Sequence, residues 1–489
     1  MALTDAQEAK LLQIISAFEN GKRLSDLPEV TGTNPFELYT EVLDTDGESK
    51  KAALASLLPY LEEQCAYGVE IDLSISNPNT CCTRVGKAEL HRTLPIHNRL
   101  RGCLLNDDGS VNEYLNPLDW TGNILDGTRG QVMVEIPHCY ARFTTLSATK
   151  VRVMFSEFPL PGYQVVRRQY VSADEATIDR TTASKPKLAA VVNNTEAFRG
   201  GNNNAAWDGT YRSLLGQPAT ATSRTDFRAY ARNRGAAGLN GAGWNCMTYD
   251  IQKILYWLFV VEYCTLNSQA DYNPTLTAEG YHQGGLGVGV SGLDGGKWNT
   301  YNSYYPFIPC GYTHHLGNQT GVVDFTMPEE YGQEKVVPVP RYRGIQNPFG
   351  HIWQWTDGIN VRINPTEENG GNGRSEVFVC SDPALFKDTN YDGYHYVGDE
   401  ARNNDYVKQV IFGEGGEIMP LVCGNGAGST TYFCDYHYTD IPTTTALRGV
   451  LFGGHAAHGA ACGFAYANSN YAPSPTNANF GSRLCFIPA

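Results

Sequence analysis

The chain of 489 residues carries a formal net charge of −14 and has a pI near 5.3. Its length suffices for two or three domains with their own hydrophobic cores, and its charge argues against nucleic acid and anionic membranes as partners, since both are negative themselves. Only 18% of residues are charged, while Gly and Tyr number 51 and 29, the profile of a loop-rich extracellular β or α+β protein rather than a helical cytosolic enzyme.

The cysteines number thirteen, an odd set with no CxxC pair, and most stand in apolar contexts such as Cys264 after Val-Glu-Tyr and Cys485 between Leu and Phe. They read as reduced, buried thiols acting as small hydrophobes, which disfavours zinc. Met1 opens a polar amphipathic stretch rather than a signal peptide, and the most apolar run, 254–261, is too short to cross a membrane and closes at Glu262. Neither export nor membrane insertion is expected.

Residues 4–18 have the pattern of a helix: Thr4 caps it, Gln7 completes a capping box, Leu11, Leu12, Ile14, Ile15 and Phe18 lie mostly on one side, and Gly21 stops it. Turn and helix signals follow, with Asp46-Gly47 as a turn and a second helix predicted over 49–58. This piece, 1–61, resembles the N-terminal module of phage tail fibres, which implies attachment to other virion tail proteins; an ordinary capping subdomain fits it equally.

Across 62–163 the texture changes to short strands and turns. Asp108-Gly109 and Asp126-Gly127 each separate apolar runs as tight turns do. The acidic run at 106–109 lacks EF-hand spacing, so structural calcium has no ligand motif behind it and no cofactor is expected. This β-rich intermediate module, with its linker Pro159-Leu160-Pro161-Gly162, resembles one that precedes lectin-like domains in tail proteins of phages infecting Bacteroidales.

The remainder, 164–489, reads as one domain. A helix is predicted over 223–235, capped by Ser223 and stopped by Gly235, with Phe227, Tyr230 and Ala231 on one face. A second, over 248–266, is apolar nearly all round except for Glu262. The run Asn347-Pro348-Phe349-Gly350-His351-Ile352-Trp353-Gln354-Trp355-Thr356-Asp357-Gly358 is similar to the Gly-Asn-Val-Trp-Glu-Trp core motif of C-type lectin folds of the formylglycine-generating-enzyme type. The resemblance implies an α+β class with a C-terminal C-type lectin-like domain.

Residues 447–486 are unlike the rest. Short apolar runs at 447–452 and 483–487 bound a stretch with neither a strand nor a helix period, so the stretch is expected on a surface. Arg448-Gly449, Gly453-Gly454, Ala472-Pro473-Ser474 and Phe480-Gly481-Ser482-Arg483-Leu484-Cys485-Phe486 resemble the variable region of target proteins of diversity-generating retroelements. In that family adenine mutagenesis of Asn codons changes some residues and leaves the intervening ones fixed. The resemblance implies a variable surface of His455, Ala457, His458, Ala461, Phe464, Tyr466, Tyr471 and Pro475, with Asn468, Asn470, Asn477 and Asn479 as unchanged forms. Trp353, Trp355, Arg448, Gly453, Gly454, Gly481 and Arg483 are then scaffold.

Catalysis has weak candidates. Cys462 and Cys485 are the nearest to the copper-holding pair of the related oxidase but stand at the wrong places in the motif; His314-His315 reads as a solvated or hydrogen-bonded pair, and the Gly-rich run at 284–289 lacks a strand-to-helix setting. Tyr, His, Asn and Ser instead suit a paratope-like surface. Tyr466, Tyr471, Phe464, His455 and His458 are the expected anchors, and truncating Tyr466 and Tyr471 is expected to abolish binding and leave stability nearly unchanged. The expectation is a non-enzymatic receptor-binding protein at a virion tail-fibre tip, homotrimeric by resemblance, that recognises a host cell-surface protein or glycan. A bacterial or prophage-encoded adhesin and a formylglycine-generating-type oxidase are the alternatives.

Overall fold

In a computed structural model, the described residues are 39–43, 49–53, 58–269, 308–327 and 335–489, apart from 211 and 457. The helix expected over 4–18, the Asp46-Gly47 turn and the Gly-rich run at 284–289 lie outside them. The chain divides into two compact units, 1–61 and 62–489. In the first, Tyr39–Leu43 pairs antiparallel with Ser49–Ala53 over five residues. That strand replaces the start of the helix predicted over 49–58, a case in which ladder pairing overrides the helix preference of Lys and Ala.

The second unit is mixed α+β, mostly sheet with few helices. One five-stranded sheet runs in the order Gln164–Val166, Cys139–Thr145, Lys150–Ser156, Ala66–Asp72, Cys82–Gly86. A six-stranded sheet joins distant parts of the chain: Gln131–Ile136 pairs with Gln169–Ser172, which pairs with Leu484–Phe486 near the C-terminus. The boundary expected at 163/164 is therefore spanned by paired strands on both sides. The hairpin of Arg101–Leu105 and Val111–Tyr114 turns through Gly109 at φ +84°, where an added Cβ would lie 2.2 Å from the Phe486 ring, so both conformation and space require glycine.

Two helices form where capping and periodicity place them. In α1 (Arg224–Arg232) the Ser223 side chain accepts from the Asp226 N–H, and Phe227 and Ala231 are fully buried. In α2 (Tyr249–Tyr263) Thr248 accepts from the Ile251 N–H, and every residue from Ile251 to Val261 is buried, as an all-round apolar helix demands. Charged side chains interrupt it: Lys253 pairs with Glu417 at 3.2 Å, and Glu262 is held by the Arg343 guanidinium.

A nine-stranded sheet forms the centre. Its main path is His395–Asp399, Ser375–Val379, β1 (Trp353–Ile363), then, out of chain order, a strand pair carried by the C-terminal part and two strands before it. In chain order these are β2 (Asp405–Val410), β3 (Tyr436–Tyr438), β4 (Ala446–Phe452) and β5 (Ala467–Asn468), and in space they run β1-β4-β5-β3-β2, closed by Pro420–Cys423. Phe480–Gly481 adds a parallel bridge to β1. Register fixes the faces: Trp355 opposes Leu451, Leu451 opposes Asn468, Asn468 opposes Tyr438, and Tyr436 opposes Tyr406, so these side chains share one face. Phe452, Ala467 and His437 occupy the other face, where Tyr249 of α2 stacks on Phe452 at 6.0 Å.

Helix α1 is fastened to β1 by charge. Arg228 grips both Asp357 oxygens through its Nε and Nη2 edge and reaches Asp388 from Nη2 at 2.8 Å. Arg224 adds a 2.8 Å bond to Asp388 and donates to the Ile359 carbonyl at 2.8 Å. Burial alone would push the Asp388 carboxyl up, but Arg224 and Arg228 together hold it below the usual carboxylate range. Removing one partner leaves buried charge behind, so Arg228→Ala should destabilise the fold by about 3–5 kcal/mol in urea unfolding. A loss under about 1 kcal/mol would mean that the pair is solvated.

Candidate binding surface

The segment between β4 and Leu484–Phe486 is built into the protein, contrary to the surface expected for it. His455, Phe464, Tyr466, Asn468 and Asn479 are 4%, 1%, 3%, 4% and 9% exposed. An irregular chain can be buried only if its polar backbone groups find partners, and here side chains distant in sequence supply them. Ser268 Oγ accepts from the Phe464 N–H at 3.1 Å, Gln252 donates to the Phe464 carbonyl at 2.7 Å, and Gln269 donates to the Cys462 carbonyl at 2.7 Å. Asp435 Oδ2 accepts from the Ala465 N–H at 2.7 Å. A Cβ on Gly463 would fall 1.8 Å from the other Asp435 oxygen, so that glycine is what allows the approach.

The aromatic anchors are core residues. Phe464 packs on Phe259, Tyr342 and Phe349. Tyr466 meets the Trp353 ring at 4.6 Å, His458 lies 5.2 Å from Tyr466 and 5.3 Å from Trp353, and the His455 and His458 rings are 3.8 Å apart. Trp353 and Trp355, buried on β1, floor this cluster. Ala461, Asn470, Tyr471 and Pro475 are half-buried like His458, Asn477 is exposed, and Ala457 lies outside the described residues.

The expected scaffold residues hold the segment's two ends. The Gly453 N–H donates to the Tyr466 carbonyl at 3.0 Å, and an added Cβ on Gly454 would lie 2.6 Å from Cys462 Sγ. Gly481 pairs with Gln354 across the parallel bridge, and Arg448 reaches Asp440 at 3.8 Å. Arg483, 1% exposed, donates to the carbonyls of Gln346 and Asn347 at 2.6 and 2.7 Å and to Gln354 Oε1 at 3.0 Å. Its charge is dispersed over neutral acceptors, and burial pushes its pKa down.

What reaches solvent is a set of tyrosines that sequence reasoning missed. Tyr406 and Tyr436 are half-buried with rings 5.2 Å apart, Tyr436 lies 5.8 Å from Tyr466, and Tyr438 is exposed. Tyr471 packs edge-on against Phe480 at 5.0 Å and sits near enough to Tyr438 for their phenols to interact. The alternation in Tyr436-His437-Tyr438 is the signal that could have found them: His437 is buried while its neighbours face outward. With His458, Asn470 and Asn477, they form an amphipathic surface of hydroxyl, amide and aromatic groups.

The other candidates fall elsewhere. Cys462 Sγ donates to the His455 carbonyl at 3.4 Å and Cys485 Sγ lies 3.8 Å from Met247 Sδ, so the two thiols have separate partners. His314 pairs with buried Asp174 at 2.9 Å while His315 is exposed. Among the described residues no group of three His, Cys, Asp or Glu side chains converges to hold a metal ion, and no helix is long and apolar enough to cross a membrane. No protein-family model and no curated protein matches the chain.

Burial corrects the expectation that Tyr466 is dispensable for stability. Tyr466→Ala should cost about 3–5 kcal/mol, as large aromatic truncations in cores do, and Tyr471→Ala about 1 kcal/mol. Equal melting temperatures for the two variants would contradict this packing.

Desolvated histidines and a buried carboxyl give stability pH dependences of opposite sign. Burial lowers His458 to about 4 from an ordinary 6.5, and burial with the neighbouring His458 pushes His455 well below its ordinary value. The unfolded chain therefore takes up protons first, and stability falls as pH drops from 6.5 toward 4. Glu400 accepts from Ser469 at 2.7 Å and from Thr439 at 3.2 Å, and burial pushes it up to about 8 from 4.5. The folded chain holds that proton longer, so stability falls as pH rises from 4.5 through 8. His458→Asn should flatten the acid limb and Glu400→Gln the alkaline limb in pH-dependent unfolding.

Proposed function

We propose that this chain is a phage tail-fibre receptor-binding protein whose C-terminal domain, of the C-type lectin-like, formylglycine-generating-enzyme type, displays a surface diversified by a retroelement. The observation that carries the reading is the segment 453–483 itself. Its fixed-looking glycines and Arg483 lock its ends, while His458, Ala461, Asn470, Tyr471, Pro475 and Asn477 keep solvent access beside the Tyr406, Tyr436 and Tyr438 rings. Rigid tyrosines with adaptable amide and hydroxyl neighbours bind at low entropic cost. Phe464, Tyr466 and His455 act in this reading as the shape-setting layer beneath. The N-terminal unit would join other tail proteins, and presentation in several copies, as in a homotrimer, would raise avidity.

The direct test is binding of purified protein to a panel of Bacteroidales cells. The double variant Tyr438→Ala, Tyr471→Ala should lose binding about thirtyfold or more with little change in melting temperature. Deep sequencing of the 3′ end of the gene should show substitutions confined to adenine-templated codons beside a near-identical template copy. Uniform sequence there, together with unchanged cell binding by the double variant, would remove the reading.

A further inference from the structure

A cavity lies beside the C-terminal segment, apart from the tyrosine surface. It encloses about 340 Å3, within the range of small-molecule sites. Its rim touches the segment through the Ala221 N–H, which donates to the Asn477 carbonyl at 3.1 Å.

The cavity contains one cation and no carboxylate among its described lining residues. Arg180 Nη1 donates to the Arg199 carbonyl at 2.7 Å and the Ile178 carbonyl at 3.3 Å, which fixes the guanidinium by one corner. Its Nε and Nη2 edge has no hydrogen bond, and no acidic side chain lies within ion-pairing distance, among the described residues. The neighbouring Arg199 is already committed to Asp208 at 2.8 Å. Burial pushes the Arg180 pKa down, with Arg199 adding to the effect against Tyr230, as happens to a charge that lacks a counter-ion.

The neutral groups around it are arranged for oxygen. The side-chain carbonyl oxygens of Asn202 and Asn203 are engaged, accepting from the Asn204 N–H at 3.2 Å and from Arg199 Nη1 at 3.1 Å, which leaves their NH2 groups as donors. Thr222 Oγ donates to the Thr220 carbonyl at 3.2 Å, leaving its lone pairs as acceptors. Tyr230 of α1 also lines the cavity. A free guanidinium edge matches a carboxylate in a two-bond fork, and mixed donors and acceptors beside an aromatic ring match the hydroxyls and C–H face of a sugar. A phosphate site would call for several cations or a cluster of backbone N–H groups.

We infer that this cavity binds a carboxylate-bearing monosaccharide unit, the Arg180 fork taking the carboxylate and Asn202, Asn203 and Thr222 the ring hydroxyls. The inference rests on the receptor-binding reading and narrows its ligand to an acidic surface glycan.

Calorimetry or ligand-observed NMR on the full chain tests it, with glucuronic acid, N-acetylneuraminic acid, glucose and inorganic phosphate as probes. An acidic sugar should bind at least about tenfold more tightly than glucose or phosphate, the size of one charge-assisted pair. Arg180→Met should abolish that preference and Arg180→Lys retain part of it. Asn202→Ala, away from the charge, should weaken both acidic and neutral sugars and leave the melting temperature unchanged. Phosphate binding as tight as that of either acid, no preference for acid over glucose, or undiminished glucuronate binding by Arg180→Met would each overturn the inference. Cell attachment that depends on Tyr438 and Tyr471 but is indifferent to Arg180→Met would defeat the cavity and spare the receptor-binding reading. Sugar binding without any cell attachment would do the reverse.

Discussion

An irregular stretch of backbone carries an N–H and a C=O at nearly every residue, and leaving one unpaired in an apolar interior costs about 1–3 kcal/mol. Everything around 453–483 follows from meeting that demand. Helix α2 and the turn after it contribute Gln252, Ser268 and Gln269, and β3 is preceded by Asp435. Carbonyls of residues 346–351 take two hydrogen bonds from Arg483 Nη2 and one from the Ala456 N–H. These frame groups lie outside the segment and act together with its own turns, such as the His458 N–H to the His455 carbonyl at 3.0 Å, to fix its shape. Side chains that make no backbone hydrogen bond, such as Ala461 and Pro475, can differ in chemistry without the backbone having to find new partners, whereas Asn468 accepts from the Asn470 N–H at 2.9 Å and is tied to its amide.

The central sheet turns that demand into a surface. One face is sealed by α2, and the other passes from the buried tryptophans of β1 through Tyr466 to the half-exposed tyrosines of β2 and β3. The Arg224–Arg228–Asp357–Asp388 cluster holds α1 against β1 on the same body, and α1 also contributes Tyr230 to the cavity lined by Arg180. The tyrosine surface and the polar cavity are thus both anchored to β1, directly or through one helix.

Much of the local structure was legible in the residues. Ser223 and Thr248 cap the helices expected from them, and Asn106 to Gly109 turns a hairpin as its Asp-Gly pair implies. Legibility failed where partners are remote. A stretch without charge or period looks like a surface loop when the groups that satisfy it are some 30 to 200 positions away, as Asp435 and Gln252 are. Ser49–Ala53 reads as helix because the register that makes it a strand belongs to Tyr39–Leu43. Likewise Arg180 looks like any surface arginine until the described residues lining its cavity are seen to include no carboxylate.

The thirteen thiols are all unpaired, and all but Cys65 and Cys264 are buried. Burial raises the pKa of most of them, as with Cys103 and Cys139 at about 12, so in the native state they are protonated and poor nucleophiles. Only the adjacent Cys81 and Cys82, with sulfurs 3.7 Å apart, favour one thiolate at the expense of the other. That protection belongs to the fold and ends with it. Once the core opens, the thiols return to ordinary reactivity at high local concentration, and cross-linking competes with refolding. The durability of this protein in an oxidising medium is then governed by how rarely the chain opens, a matter of unfolding rate more than of equilibrium.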